Sequence, residues 1–178
     1  MKFKTKNMLL AAIFAAIIAI CAQIMVPLPF SQVQFSLSVL AVFLCGGVLG
    51  IRYGCLSVLV YLLLGLCGLP VFGKFMGGPS ALLGPTGGYM VAYPLMVVTI
   101  GLCMKLFPKQ GFAAYFFSML ASLIICYLFG SAWLAISAHM TFGAAVMAGV
   151  VPFVVFDILK AVFAAYLCVL LRKRLKLA

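Results

Sequence analysis

Apolar runs of membrane-span length alternate with short breaks along this chain. Residues 8–26 are almost wholly apolar, and comparable runs follow at about 37–51, 53–69, 89–106, 112–134 and 142–171. A helix that crosses a bilayer needs ~20 such residues. The final run is thirty residues long, too long for one crossing, and it is divided by Pro152. Proline is well tolerated in a helix's first turn, so the pattern places a sixth span at 152–171. The chain reads as a single all-α integral membrane domain, 1–178, with six transmembrane helices. The first run follows Lys2, Lys4 and Lys6. Its full span length, without a convincing cleavage site, reads as a span and not a leader.

The breaks carry their own signals. Pro27, Pro29, Ser31, Gln32, Gln34 and Ser36 mark a loop. Gly46, Gly47 and Gly50 ahead of Arg52 predict a close helix hairpin. In residues 68–88, Gly and Pro supply ten of twenty-one positions, which argues against a regular helix. Val71, Phe72, Phe75, Met76, Leu82 and Leu83 keep that segment apolar, as expected of a lid or pocket wall. Pro94 predicts a kink in the fourth span. In the first span Ala11, Ala15 and Ala19 recur four apart, with Ala12 and Ala16 alongside. Such a strip lets a second helix approach closely, and spacing alone favours packing inside the protein.

Composition agrees with the pattern. The chain is 68% hydrophobic and 7% charged, which excludes a soluble domain. Its net charge of +11 is a topology signal. Six spans put Lys2, Lys4, Lys6, Arg52, Lys105, Lys109, Arg172, Lys173, Arg174 and Lys176 on one side, ten of the twelve bases. The positive-inside rule then places both termini in the cytoplasm and turns the 68–88 loop outward, so nucleic acid is dropped as a partner. The seven cysteines fall in apolar stretches without Cys-x-x-Cys spacing and read as small buried hydrophobes.

The chemistry narrows to one pair. Asp157 is the only acidic residue, and Lys160 follows three positions later on the same helical face. Lipid penalises each charge by roughly 2.5–3.5 kcal/mol, so the pair either binds something or fixes helix packing. Gly68-x-x-x-x-Gly73-Lys74 imitates a phosphate loop, but Phe75 stands where Ser or Thr is needed. His139 is alone, and no second acid exists for a two-aspartate protease. What remains is an outward pocket for a small, mostly apolar ligand with an amide-like group. Three readings stay open: a capture protein without its own energy source, a proton-coupled secondary transporter with Asp157 as carrier, and a structural subunit.

Several strings narrow this further: Val26-Pro27-Leu28-Pro29-Phe30, Tyr61-Leu62-Leu63-Leu64-Gly65, Gly68-Leu69-Pro70-Val71-Phe72, Leu83-Gly84-Pro85-Thr86-Gly87-Gly88-Tyr89, and Pro152-Phe153 with Asp157-x-x-Lys160. Together they resemble the BioY family, the biotin-specific S subunits of energy-coupling factor (ECF) transporters, over nearly the whole chain. The resemblance implies six helices and high-affinity biotin capture from outside, in a prokaryotic-type cell membrane. It implies docking onto a membrane-embedded coupling subunit with two cytoplasmic ATPases, which use the ATP. It implies no enzyme activity, metal or cofactor in this chain. It places Asp157, Lys160, Tyr89, Thr86, Gly84 and Trp133 at the ligand, and turns Ala11, Ala15 and Ala19 toward the coupling subunit. Two positions depart from the family pattern. Ser36-Leu37-Ser38 stands where Thr-Leu-Gln is frequent, and Phe156 where Gly often precedes the aspartate.

Overall fold

A computed structural model of the chain describes residues 5–26, 34–107 and 110–175. The proline-rich stretch 27–33 and the bases Lys2, Lys4, Lys109 and Lys176 lie outside the described residues. The helices are α1 (Thr5–Gln23), α2 (Ser38–Leu66), α3 (Pro79–Leu83), α4 (Gly87–Leu106), α5 (Phe112–Ser137), α6 (Phe142–Gly149) and α7 (Val154–Leu175). Two stubs, β1 (Met25–Val26) and β2 (Phe35–Ser36), pair antiparallel, so the ends of the expected first loop form a short ribbon. Among the described residues five helices, α1, α2, α4, α5 and α7, are long and apolar enough to cross a membrane.

Five such helices, where the sequence predicts six, reflects the continuity of α2. That helix is broken internally at Gly50, whose φ of 71° and ψ of −172° are far from helical. A positive φ of this kind is open to glycine at little cost. Cys45 Sγ lies 3.5 Å from the Gly54 carbonyl oxygen, nine residues on. Nine residues of straight helix rise ~13.5 Å, so the chain doubles back at Gly50. The glycines before the break let neighbours in. A Cβ on Gly46 would stand 3.1 Å from the Ile100 side chain of α4, and one on Gly47 would stand 2.5 Å from Cys168 Sγ of α7.

The alanine strip of α1 requires a correction. Ala11 and Ala15 are each 3% exposed, and Ala19 is half-buried. Ser57 of α2 donates to the Ala11 carbonyl at 2.8 Å, so the strip is covered from within at Ala11 and Ala15, while Ala19 stays partly open. Ala12 and Ala16 are exposed. Small residues are needed at 11 and 15 because α1 and α2 touch there. Ala15→Trp should therefore destabilise the lone protein by about 3 kcal/mol through overpacking. A thermal melt of the purified variant checks this, and a wild-type melting temperature would put Ala15 on an open face.

The helix ends sort by charge. Gly101 of α4 packs on Ile51 beside Arg52, and Arg172 of α7 donates to Gln110 and Tyr115 at the start of α5. The opposite end gathers the end of α1, the ribbon, the 68–88 segment and the start of α7. There Phe72 inserts its ring against Gly65, where a Cβ would stand 2.1 Å away, and meets Tyr61 edge-on at 5.5 Å.

Candidate ligand-binding site

Turns at 150–153 separate α6 from α7, so Asp157 falls in the first turn of α7. That is three residues past Val154, ~4.5 Å along the axis and shallower than a helix starting at Pro152 would place it. The dipole of a helix start favours a carboxylate at this position. Asp157 and Lys160 are 5% and 7% exposed, so water contributes little to their solvation.

Protein groups supply it instead. Lys160 Nζ donates to Asp157 Oδ1 at 2.7 Å and to the Ser36 carbonyl at 2.7 Å. It also lies 3.9 Å from the centroid of the Phe35 ring, close enough for a cation–π contact. Tyr127 of α5 donates its hydroxyl to Asp157 Oδ2 at 2.7 Å. The charged pair thus ties α7 to α5 and to β2. Phe156 does not crowd the interior; it is half exposed and packs edge-on against Phe35 at 5.4 Å. Ser38 replaces a longer side chain with a hydroxyl 2.6 Å from that of Tyr93, and Ser36 Oγ donates to Ser38 Oγ at 3.0 Å.

These groups border a cavity of about 250 Å³, near the lower end of the ~300–1,000 Å³ usual for small-molecule sites. Its wall is mainly aromatic and apolar, including Phe35, Tyr61, Phe72, Tyr93, Leu123 and Phe153. Of the residues expected from sequence, Asp157, Lys160, Tyr89 and Thr86 line it. The Tyr89 hydroxyl donates to the Gly149 carbonyl at 3.2 Å, bracing α4 on the end of α6. Gly84 and Trp133 are not in the wall; Trp133 Nε1 donates to the Gly84 carbonyl at 3.0 Å and holds the loop entering α4 from behind.

Sequence reasoning missed Tyr127, Tyr93, Phe35 and the Ser36 carbonyl as parts of the site. Tyr127 had a usable signal, since Leu123, Cys126 and Tyr127 share one helical face and all three line the cavity. The carbonyl had none, because a backbone oxygen leaves no trace in residue type. Chemically, the pocket offers a buried carboxylate that accepts, and an ammonium and hydroxyls that donate, within an apolar enclosure. No cluster of three or more His, Cys, Asp or Glu that would hold a metal occurs among the described residues.

Comparison with known proteins places the chain. The model of the BioY family matches residues 1–177. A protein described as "Biotin transporter BioY" from Thermotoga maritima is 43% identical over 168 residues, covering 94% of this chain and 96% of that protein. A "Probable biotin transporter BioY" from Pyrococcus horikoshii is 42% identical over 158 residues, covering 89% and 91%. The crystal structure of the S-component for biotin from an ECF-type ABC transporter superposes with a TM-score of 0.89 at 28% identity, covering 97% of this chain and 95% of that one.

Proposed function

The chain belongs to the BioY family, and on that premise we propose that it captures biotin and passes it inward as the S component of an ECF-type ABC transporter. It is a transporter component and not an enzyme. The observation that carries the ligand reading is the Asp157–Lys160–Tyr127 cluster at the edge of an aromatic cavity. Biotin's ureido ring presents N–H donors and a carbonyl, and its thiophane ring and chain are apolar. Asp157 accepts from the N–H groups, the ammonium and hydroxyls donate to the carbonyl, and the aromatic wall covers the rest.

The protein is read as a multi-pass component of the cell membrane, with six crossings. The reversal at Gly50 supports counting 38–49 and 51–66 as separate crossings. The gathering of Arg52, Lys105 and Arg172–Arg174 toward the end away from the cavity supports cytoplasmic termini and an outward pocket. The ATP is used by two cytoplasmic ATPases acting through a coupling subunit, and this chain needs no cofactor of its own.

Thermal melting of the purified protein with biotin and a panel of other vitamins tests the ligand. Biotin alone should raise the melting temperature at low micromolar concentration, since a ligand that binds only the folded state stabilises it by mass action. No shift with biotin refutes the reading. Uptake in vesicles separates energy sources: it should require the ATPases and survive collapse of the proton gradient, whereas a proton-coupled carrier would lose it.

A further inference from the structure

The wall of the cavity between residues 72 and 76 is a turn held in an unfavourable backbone shape. Phe72 N–H donates to the Met76 carbonyl at 3.0 Å and closes it. Inside it Lys74 and Phe75 have φ of 59° and 54°, the left-handed region that L side chains adopt only at a cost. Phe72, Gly73 and Met76 line the cavity, while Lys74 and Phe75 project outward, Phe75 at 72% exposure. The two strained residues therefore draw little packing from their own side chains.

What holds them is the last residue of α1. Gln23 Oε1 accepts from Phe75 N–H at 2.9 Å, and Gln23 Nε2 donates to the Phe72 carbonyl at 3.0 Å, with the Pro70 and Ala19 carbonyls at 3.4 Å. One amide thus satisfies a donor and an acceptor on opposite arms of the turn, as a paired strand would. Gln23 is not in the cavity wall, so ligand contact does not account for its two-ended engagement. We propose that Gln23 is a positioning residue, a latch that fixes the 72–76 turn as the closed wall of the pocket and thereby sets how slowly bound ligand escapes. The proposal rests on the biotin reading for the ligand, but the latch exists without it.

Two measurements on the purified full chain test it. The first is hydrogen exchange at the Phe75 amide without any ligand. Gln23→Ala should speed that exchange roughly tenfold or more, because the amide loses its acceptor. The second is biotin kinetics. Gln23→Ala should raise the dissociation rate roughly 10- to 30-fold, the effect of two lost hydrogen bonds, with the association rate changed less than about threefold. Gln23→Glu keeps an acceptor for Phe75 N–H but sets a carboxylate oxygen against the Phe72 carbonyl, so exchange at Phe75 should fall between wild type and Gln23→Ala while dissociation should be at least as fast as in Gln23→Ala. A fall in melting temperature or in active fraction with an unchanged dissociation rate would reduce Gln23 to a structural residue and overturn the proposal. So would unaltered exchange at Phe75. If wild type fails to bind biotin, the ligand reading fails, and the exchange measurement alone decides the latch.

Discussion

Asp157→Asn should weaken biotin binding about 30- to 1000-fold, the equivalent of roughly 2–4 kcal/mol. The asparagine keeps the shape but not the charge. Its one oxygen can face Lys160, and its NH₂ must then face the Tyr127 hydroxyl, so one of two bonds at 2.7 Å is remade with reversed polarity and the ammonium loses its counter-ion. Lys160→Ala should cost a similar amount, because it leaves the carboxylate buried with Tyr127 alone among its present side-chain partners and releases Ser36 of β2. The double variant should lose much less than the sum, since the pair acts as a unit. Titration with biotin and with biotin amide assigns the role of Lys160. Two of its three N–H donors are already engaged, by Asp157 and Ser36, and the ammonium sits over Phe35. Lys160→Ala is therefore expected to penalise acid and amide alike. A loss confined to the acid would assign Lys160 to the ligand carboxylate, and near wild-type affinity in both single variants would sink the site.

Gly87→Ala should be the most damaging single methyl in the chain. A Cβ there would stand 1.7 Å from the Leu82 carbonyl oxygen and 2.6 Å from its carbon, both backbone atoms of α3. No side chain can rotate away, so α3 must separate from the start of α4, at about 3–5 kcal/mol and with loss of the pocket wall. Gly84→Ala is the control: its φ is −70° and its nearest neighbour would be 3.5 Å away, an ordinary contact. Thermal unfolding and biotin titration of both variants check the contrast. Equal tolerance would mean that α3 is not seated against α4 in the working protein.

These two glycines also show how far the sequence could be read. The Gly84-Pro85-Thr86-Gly87-Gly88-Tyr89 string was legible as a signature, but the reason for each glycine was not, because close approach is a property of two segments at once. The apolar runs located the helices well, since lipid imposes a length and a composition on each. They also marked the break in α2: Gly46, Gly47 and Gly50 ahead of Arg52 predicted a close hairpin, and the chain reverses at Gly50. Asp157 and Lys160 were legible because charge in an apolar run is rare. Tyr127 and the Ser36 carbonyl are ordinary in type and acquire meaning only by lying next to that charge. The alanine strip failed in the other direction. Its spacing is the same for an inner and an outer interface, and family resemblance chose the outer one, whereas Ala11 and Ala15 are covered by α2.

The contact between Lys160 and Ser36 spans 124 positions of the chain, and it bears on biogenesis. The polar edge of the pocket is supplied by the last long helix and seated on a ribbon made near the beginning. A chain emerging from the ribosome therefore carries the aromatic wall before it has any charged group to place beside it. Asp157 and Lys160 enter the membrane together, three residues apart and already neutralising one another, which lowers the toll on inserting a helix that holds both. A protein interrupted anywhere before α7 has no such pair, so capture begins only when synthesis is all but finished.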